Sequence, residues 1–235
     1  MNAKSFIYLI FFFSGFSFSA ISQGFLPGAN TFSSSKTTYI TLVDGTEIEG
    51  TIEKIDRKKG LIESIKIKGA DKKTKEYMAE DIQKMYAAPS GFDKIVKMDS
   101  YFSDATKWKN DNYKKGLFED GYVYFEQAPV IIKKEKTTML MQLINPSFSG
   151  KIKVYMDPWA GETMSASVGG IKVAGGQEAS YYIRKADGEA FKLAKNDYKK
   201  EFPNLFGDCE KLTSEKKSPK WSEFEKTVFE HFNCD

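Results

Sequence analysis

The stretch from Tyr39 to Ile52 constrains this chain most. Ile40 and Leu42 alternate with polar neighbours, and Ile48 and Ile52 do so again after the Asp44-Gly45 pair. A period of two puts one set of side chains in a core and the other in water, which describes a half-buried strand. Asp-Gly supplies the positive φ of a tight hairpin turn. The stretch therefore reads as a β-hairpin. Gly50 falls on its inward face without a side chain. That predicts a sharp bend or close backbone packing, as in a small curled barrel. An acid beside glycines also makes Asp44 a position to search for chemistry.

The pattern continues downstream. Ser64–Lys68, Lys75–Met78 and Lys84–Ala87 read as three more short strands, with one helical turn over Ala79–Ile82 before the last. Five strands with that interruption predict a small barrel over 36–98. Residues 99–120 are polar with scattered aromatics and read as a connection or a helix. A second β region follows over 121–195. Its strands are Tyr122–Glu126, Thr138–Ile144, Lys151–Met156, Ile171–Ala174, Ser180–Arg184 and Ala190–Leu193. Thr138–Ile144 is apolar enough to be buried on both faces. Pro129 interrupts the first of these strands, with Val130–Ile132 as its continuation. The expected packing is an antiparallel sandwich or open barrel.

The last 40 residues, 196–235, read as helical. Asn196 is positioned to cap a short helix, and Pro203 should kink it or start a new turn. Ser222 and Glu225 have capping-box spacing. Phe224, Val228 and Phe232 recur every four residues, the stripe of a helix lying on a core. The fold class is mainly β with an α+β character: a small N-terminal barrel, a second β domain and a C-terminal helical cap.

The N-terminus predicts export. Lys4 precedes the apolar run Phe6–Phe13, and Ala20-Ile21-Ser22 places small residues at the cleavage spacing. This is the pattern of a secretory signal peptide over 1–22. The run is shorter than the roughly 20 apolar residues of a membrane span. Removal leaves a flexible Gly/Ser lead over 23–35 and no later span. The expected location is the periplasm or the extracellular space. The chain carries a net charge of +3 with 41% hydrophobic and 14% aromatic residues. That composition fits a folded domain and gives no reason to expect nucleic acid as a partner. Cys209 and Cys234 are the two cysteines. In an oxidising compartment such a pair is expected to bond, closing a loop of about 26 residues worth roughly 3.5 kcal/mol. The alternative is two buried thiols.

The chain resembles a loose group of uncharacterised exported β-rich proteins of Bacteroidota-type bacteria. Four features carry the likeness. They are the signal peptide with Gln23 after it, Asp44-Gly45-Thr46 with Gly50-Thr51-Ile52, Tyr181–Lys185, and Leu205–Cys209 with a helix closing on Phe232-Asn233-Cys234. The region 36–98 is also similar to SH3-like and Sm-like barrels in strand count and in the bent, glycine-bearing second strand. The resemblance implies compartment and architecture; it carries no activity, and such barrels serve many functions.

Chemistry is sparse. His231 is the single histidine, and a helix C-terminus accounts for a cation there without catalysis. Carboxylates alone do not have calcium-loop spacing. Gly169, Gly170, Gly175 and Gly176 flank a strand, which suits hairpin turns better than a phosphate loop. The lysines of Lys54–Lys75 read as charged loops and edges. The most site-like patch is Tyr155, Asp157 and Trp159 at a strand-to-loop junction, where a phenol, a carboxylate and an indole could meet a sugar or peptide. The alternative is that Trp159 folds back onto the core. No cofactor or metal is implied. The reading is an exported, non-enzymatic binding or scaffolding protein with an envelope protein as partner. The alternatives are a carrier of a small apolar or sugar ligand and an atypical carboxylate hydrolase. Any site is expected in the second β region or in the groove between the two regions.

Overall fold

The computed structural model describes residues 24–58, 60–90, 113–160 and 179–234. The alternating segments become one antiparallel sheet. Its strands are β1 (Thr37–Leu42), β2 (Glu47–Lys58), β3 (Leu61–Lys68), β4 (Thr74–Met78), β5 (Ile82–Ala87), β6 (Val123–Ile132), β7 (Glu135–Leu143), β8 (Ile152–Met156), β9 (Ser180–Lys185) and β10 (Phe191–Ala194). They lie in the order β10-β9-β8-β7-β6-β5-β1-β2-β3-β4. The two expected β regions are joined, because β5 pairs with β6 from Lys84↔Glu126 to Ala87↔Val123. The far end curls back. Ala190, just before β10, bridges to Val130 on β6, donating its N–H to the Pro129 carbonyl and accepting the Ile131 N–H. A 3₁₀ turn over Ala79–Asp81 separates β4 from β5. The expected strand over Ile171–Ala174 lies outside the described residues.

The opening hairpin forms as read, with a wider loop over Val43–Thr46. Gly45 takes φ 86°, and the Asp44 carboxylate accepts the Thr46 N–H at 2.8 Å. That hydrogen bond holds the exposed Asp44 carboxyl below its usual range. Gly50 is there for close approach. A Cβ on it would lie 2.5 Å from the Lys68 carbonyl oxygen and 2.5 Å from an Ile67 methyl.

Pro129 does not interrupt β6. The strand runs through it to Ile132 and turns on two residues, Lys133 (φ 48°) and Lys134 (φ 74°). A two-residue turn makes its flanking pair, Ile132↔Glu135, the hydrogen-bonded one. Counting back along the register puts Pro129↔Thr138 at a position that β6 and β7 leave unbonded. The missing proline N–H costs nothing there.

Two cores lie on opposite faces of the sheet. One gathers Ile40, Ile65, Ile67, Ile82, Met85 and Phe125. The other gathers the helices with β6–β10. The central strands serve both. Phe125 and Leu140 face the first core, while Tyr124, Met139, Met141 and Leu143 face the second. That is why β7 reads apolar at successive positions from Met139 to Met141.

The helices are α1 (Lys115–Glu119), α2 (Tyr198–Phe206), α3 (Glu210–Glu215) and α4 (Phe224–Phe232). α1 lies within the expected connection over 99–120 and buries Phe118 completely against Tyr86 and Tyr113. α2 continues through Pro203. The capping box at Ser222 is not made, since no side chain caps α4. Phe224 and Val228 are buried as the stripe requires, with Phe232 half-buried at its end. Cys209 and Cys234 form a disulfide with their Cα atoms 5.9 Å apart. Among the described residues no helix is long and apolar enough to cross a membrane.

Residues 24–35, expected as a flexible lead, are docked along most of their length. Phe25, Leu26 and Ala29 are buried. The Leu26 N–H bonds the Ile144 carbonyl at 2.7 Å. Gln142 on β7 clamps the segment, accepting the Ala29 N–H at 2.8 Å and donating to the Pro27 carbonyl at 2.9 Å. The glycines and serines of this segment signal irregular backbone, and the apolar residues between them supply the anchoring.

Candidate binding groove

Tyr155, Asp157 and Trp159 sit at and just past the end of β8, and the polar groups of Tyr155 and Asp157 turn inward. The Tyr155 hydroxyl donates to Glu126 Oε1 at 2.6 Å. The same oxygen accepts the Lys153 ammonium at 2.6 Å, and Tyr124 donates to Glu126 Oε2 at 3.3 Å. Burial, with the Glu126 charge beside it, pushes the Tyr155 phenol well up, so it remains a donor. Asp157 is 1% exposed. It accepts the Trp159 N–H at 2.9 Å, the Ser180 hydroxyl at 2.6 Å and the Lys192 ammonium at 2.8 Å. The Trp159 ring lies against Tyr182, with centroids 5.9 Å apart.

This segment is also where the β2–β3 hairpin lands. A Cβ on Gly60 (φ 81°) would meet the Pro158 carbonyl at 2.6 Å. Arg57 donates to the Gly60 carbonyl at 2.9 Å and to the Asn30 carbonyl at 3.0 Å. Asp157 fixes the loop, and Pro158 receives the first half of the molecule. The patch thus contributes to an internal joint.

The joint leaves a groove beside it of about 360 Å³. Its apolar lining includes Leu61 and Ile62 of β3, Met78 at the end of β4, and Ile132, Met139 and Leu140 of the β6–β7 hairpin. Thr137 and Thr138 add hydroxyls, and Glu63 and Glu80 add carboxylates. Gln127 ties the two walls, donating to the Glu80 carbonyl at 2.5 Å. Met78 is 41% exposed, which is unusual for a large apolar side chain in this molecule. Glu63 pairs only loosely with Lys58, at 3.8 Å between exposed groups. The arrangement can receive apolar side chains and a cation.

Comparison with protein-family models, with curated proteins and with solved structures finds no match to this chain.

The remaining candidates resolve locally. His231 is 1% exposed and meets the Asp208 carboxylate at 2.9 Å. Burial lowers its pKa despite the opposing hydrogen bond and charge of Asp208. Burial of Asp208 is outweighed by hydrogen bonds from Lys185 and His231, which bring its carboxyl down to about 2. The lysines of the first half are laced with acids, Lys54 with Asp56 along β2, and Lys66 with Glu76 and Lys68 with Glu53 across strands. Among the described residues no cluster of His, Cys, Asp or Glu is arranged to hold a metal. The glycines at 169, 170, 175 and 176 lie outside the described residues. Sequence reasoning named the groove only as a region. Its residues carry no motif; the one local signal is the uncharged run from Thr137 onward, directly after the charged Lys133–Lys136.

Proposed function

We propose that this is an exported, non-enzymatic binding or scaffolding protein of the cell envelope, with the groove between its two halves as the partner site. The observation that carries the reading is that groove, in which the exposed Met78 and the β6–β7 hairpin face each other across about 360 Å³. Contiguous exposed apolar surface rimmed by polar groups marks interaction sites. Export is supported by the signal-peptide pattern and by a disulfide suited to an oxidising compartment. We read β1–β5 as the small barrel similar to SH3-like and Sm-like folds; the order β5-β1-β2-β3-β4 and the 3₁₀ turn before β5 support this. The group of exported Bacteroidota-type proteins remains the relationship we propose. Crosslinking in intact cells followed by mass spectrometry tests the role. It should recover an envelope protein bound to this chain; recovery of the monomer alone counts against the reading.

The apolar lining and the volume also suit a small apolar or sugar ligand, since such sites span roughly 300–1,000 Å³. Native mass spectrometry of protein purified from its host would reveal that ligand as a discrete added mass.

A further inference from the structure

We infer that the partner enters the groove as an extended strand and pairs with the outer edge of β7 around Thr138. This rests on the reading of the groove as the partner site.

The edge is open. β8 meets β7 in the ladder only at Leu143↔Tyr155. Toward Glu135 no strand of the described residues lies beside β7 on that side. The pairing parity aims its backbone outward. Ile132↔Glu135 closes the two-residue turn, so Thr138 and Leu140 fall at positions unbonded to β6. Their N–H and C=O groups point away from β6. The opening coincides with the groove. Four successive residues, Thr137 to Leu140, line it. A sheet face alone would contribute every second residue, so the groove runs along the strand's edge.

The other exposed edge of the first half is guarded and this one is not. β4 is five residues long and carries Lys75 and Glu76 in the open. Charges and shortness are how edges are kept from pairing. Thr137–Leu140 has neither protection, in a strand of nine residues. Strand addition draws affinity from main-chain hydrogen bonds and specificity from side-chain pockets. Here Met78 and Ile132 offer apolar contact, while Glu63 and Glu80 favour a lysine or arginine. The occupant is therefore an extended segment of another protein, apolar at alternate positions and carrying a basic residue.

The test uses the purified protein and a synthetic eight-residue peptide of alternating valine and threonine ending in lysine. Binding should protect the Thr138 amide from hydrogen exchange and leave the Lys75 amide unchanged. N-methylation of alternate peptide amides should weaken binding about tenfold or more, as loss of two or more hydrogen bonds requires. Glu63→Lys with Glu80→Lys should weaken it several-fold, and only for the lysine-bearing peptide. Failure of the peptide to bind overturns the inference, as does equal binding of the N-methylated form or binding without protection of Thr138. Concentration-dependent self-association that protects Thr138 overturns it in favour of a second copy of this chain. In each case the crosslinking experiment decides separately whether the binding role itself stands.

Discussion

Replacing both Cys209 and Cys234 with alanine should cost close to the full chain-entropy value of their loop. The Cα atoms lie 5.9 Å apart, inside the usual 4.4–6.8 Å range, so the backbone needs no displacement to close the bridge. A closed loop of about 26 residues lowers the entropy of the unfolded chain by about 12 cal/mol/K, or roughly 3.5 kcal/mol at 25 °C. The staple fixes the end of α4, which carries Phe224 and Val228 into the core. Cys209 is itself buried, so the alanine variant also loses a small packing contact. The assay is urea unfolding under oxidising conditions. With a slope of about 2.5 kcal/mol/M, the midpoint should fall by roughly 1.4 M. Reduced parent protein should show a similar fall. A midpoint shift under about 0.2 M, or a parent whose mass corresponds to two free thiols, would refute the reasoning.

Other perturbations have equally definite outcomes. Gly50→Ala drives a methyl into the Lys68 carbonyl and should destabilise by about 1–3 kcal/mol in the same urea assay. Lys133→Asn with Lys134→Gly should raise stability by roughly 1 kcal/mol, because both lysines hold left-handed backbone; an unchanged midpoint would show that the turn carries no strain. The pH dependence should have two steps. His231 has a folded pKa lowered from 6.5, so the folded state binds fewer protons than the unfolded chain. Its contribution is complete above pH 6.5 and is lost as pH falls through that value toward the folded one. Asp208 contributes above pH 3.8 and loses that contribution as pH falls toward about 2. His231→Gln should abolish the first step in a series of urea midpoints; a parent that gains stability from pH 7 to 5.5 contradicts the assignment.

Much of the strand content was legible because alternation is a local signal. Ten of the eleven expected strands reappear within a few residues of their read boundaries, and the eleventh, Ile171–Ala174, falls outside the described residues. The misses come from non-local pairing. Residues 24–35 read as flexible because their partners on β7 lie more than 100 positions away. Pro129 read as a break because the ladder's parity is set by the turn. That turn was itself invisible, since Lys133-Lys134 has none of the glycine or asparagine that usually marks one. Tyr155 and Asp157 looked like a site because residue type says nothing of direction. Glu126, Ser180 and Lys192 come from three other strands and draw them inward. The groove exists only once β5 pairs with β6, and no short motif encodes that.

A partner bound in the groove would lie within reach of Met78 and Thr138. Photo-crosslinking amino acids placed singly at Met78, Thr138 and, as a distant control, Lys211 on α3 test this most directly in intact host cells. One envelope protein should be captured from Met78 and Thr138 and not from Lys211. Equal capture from all three positions, or monomer alone from every one, would contradict it.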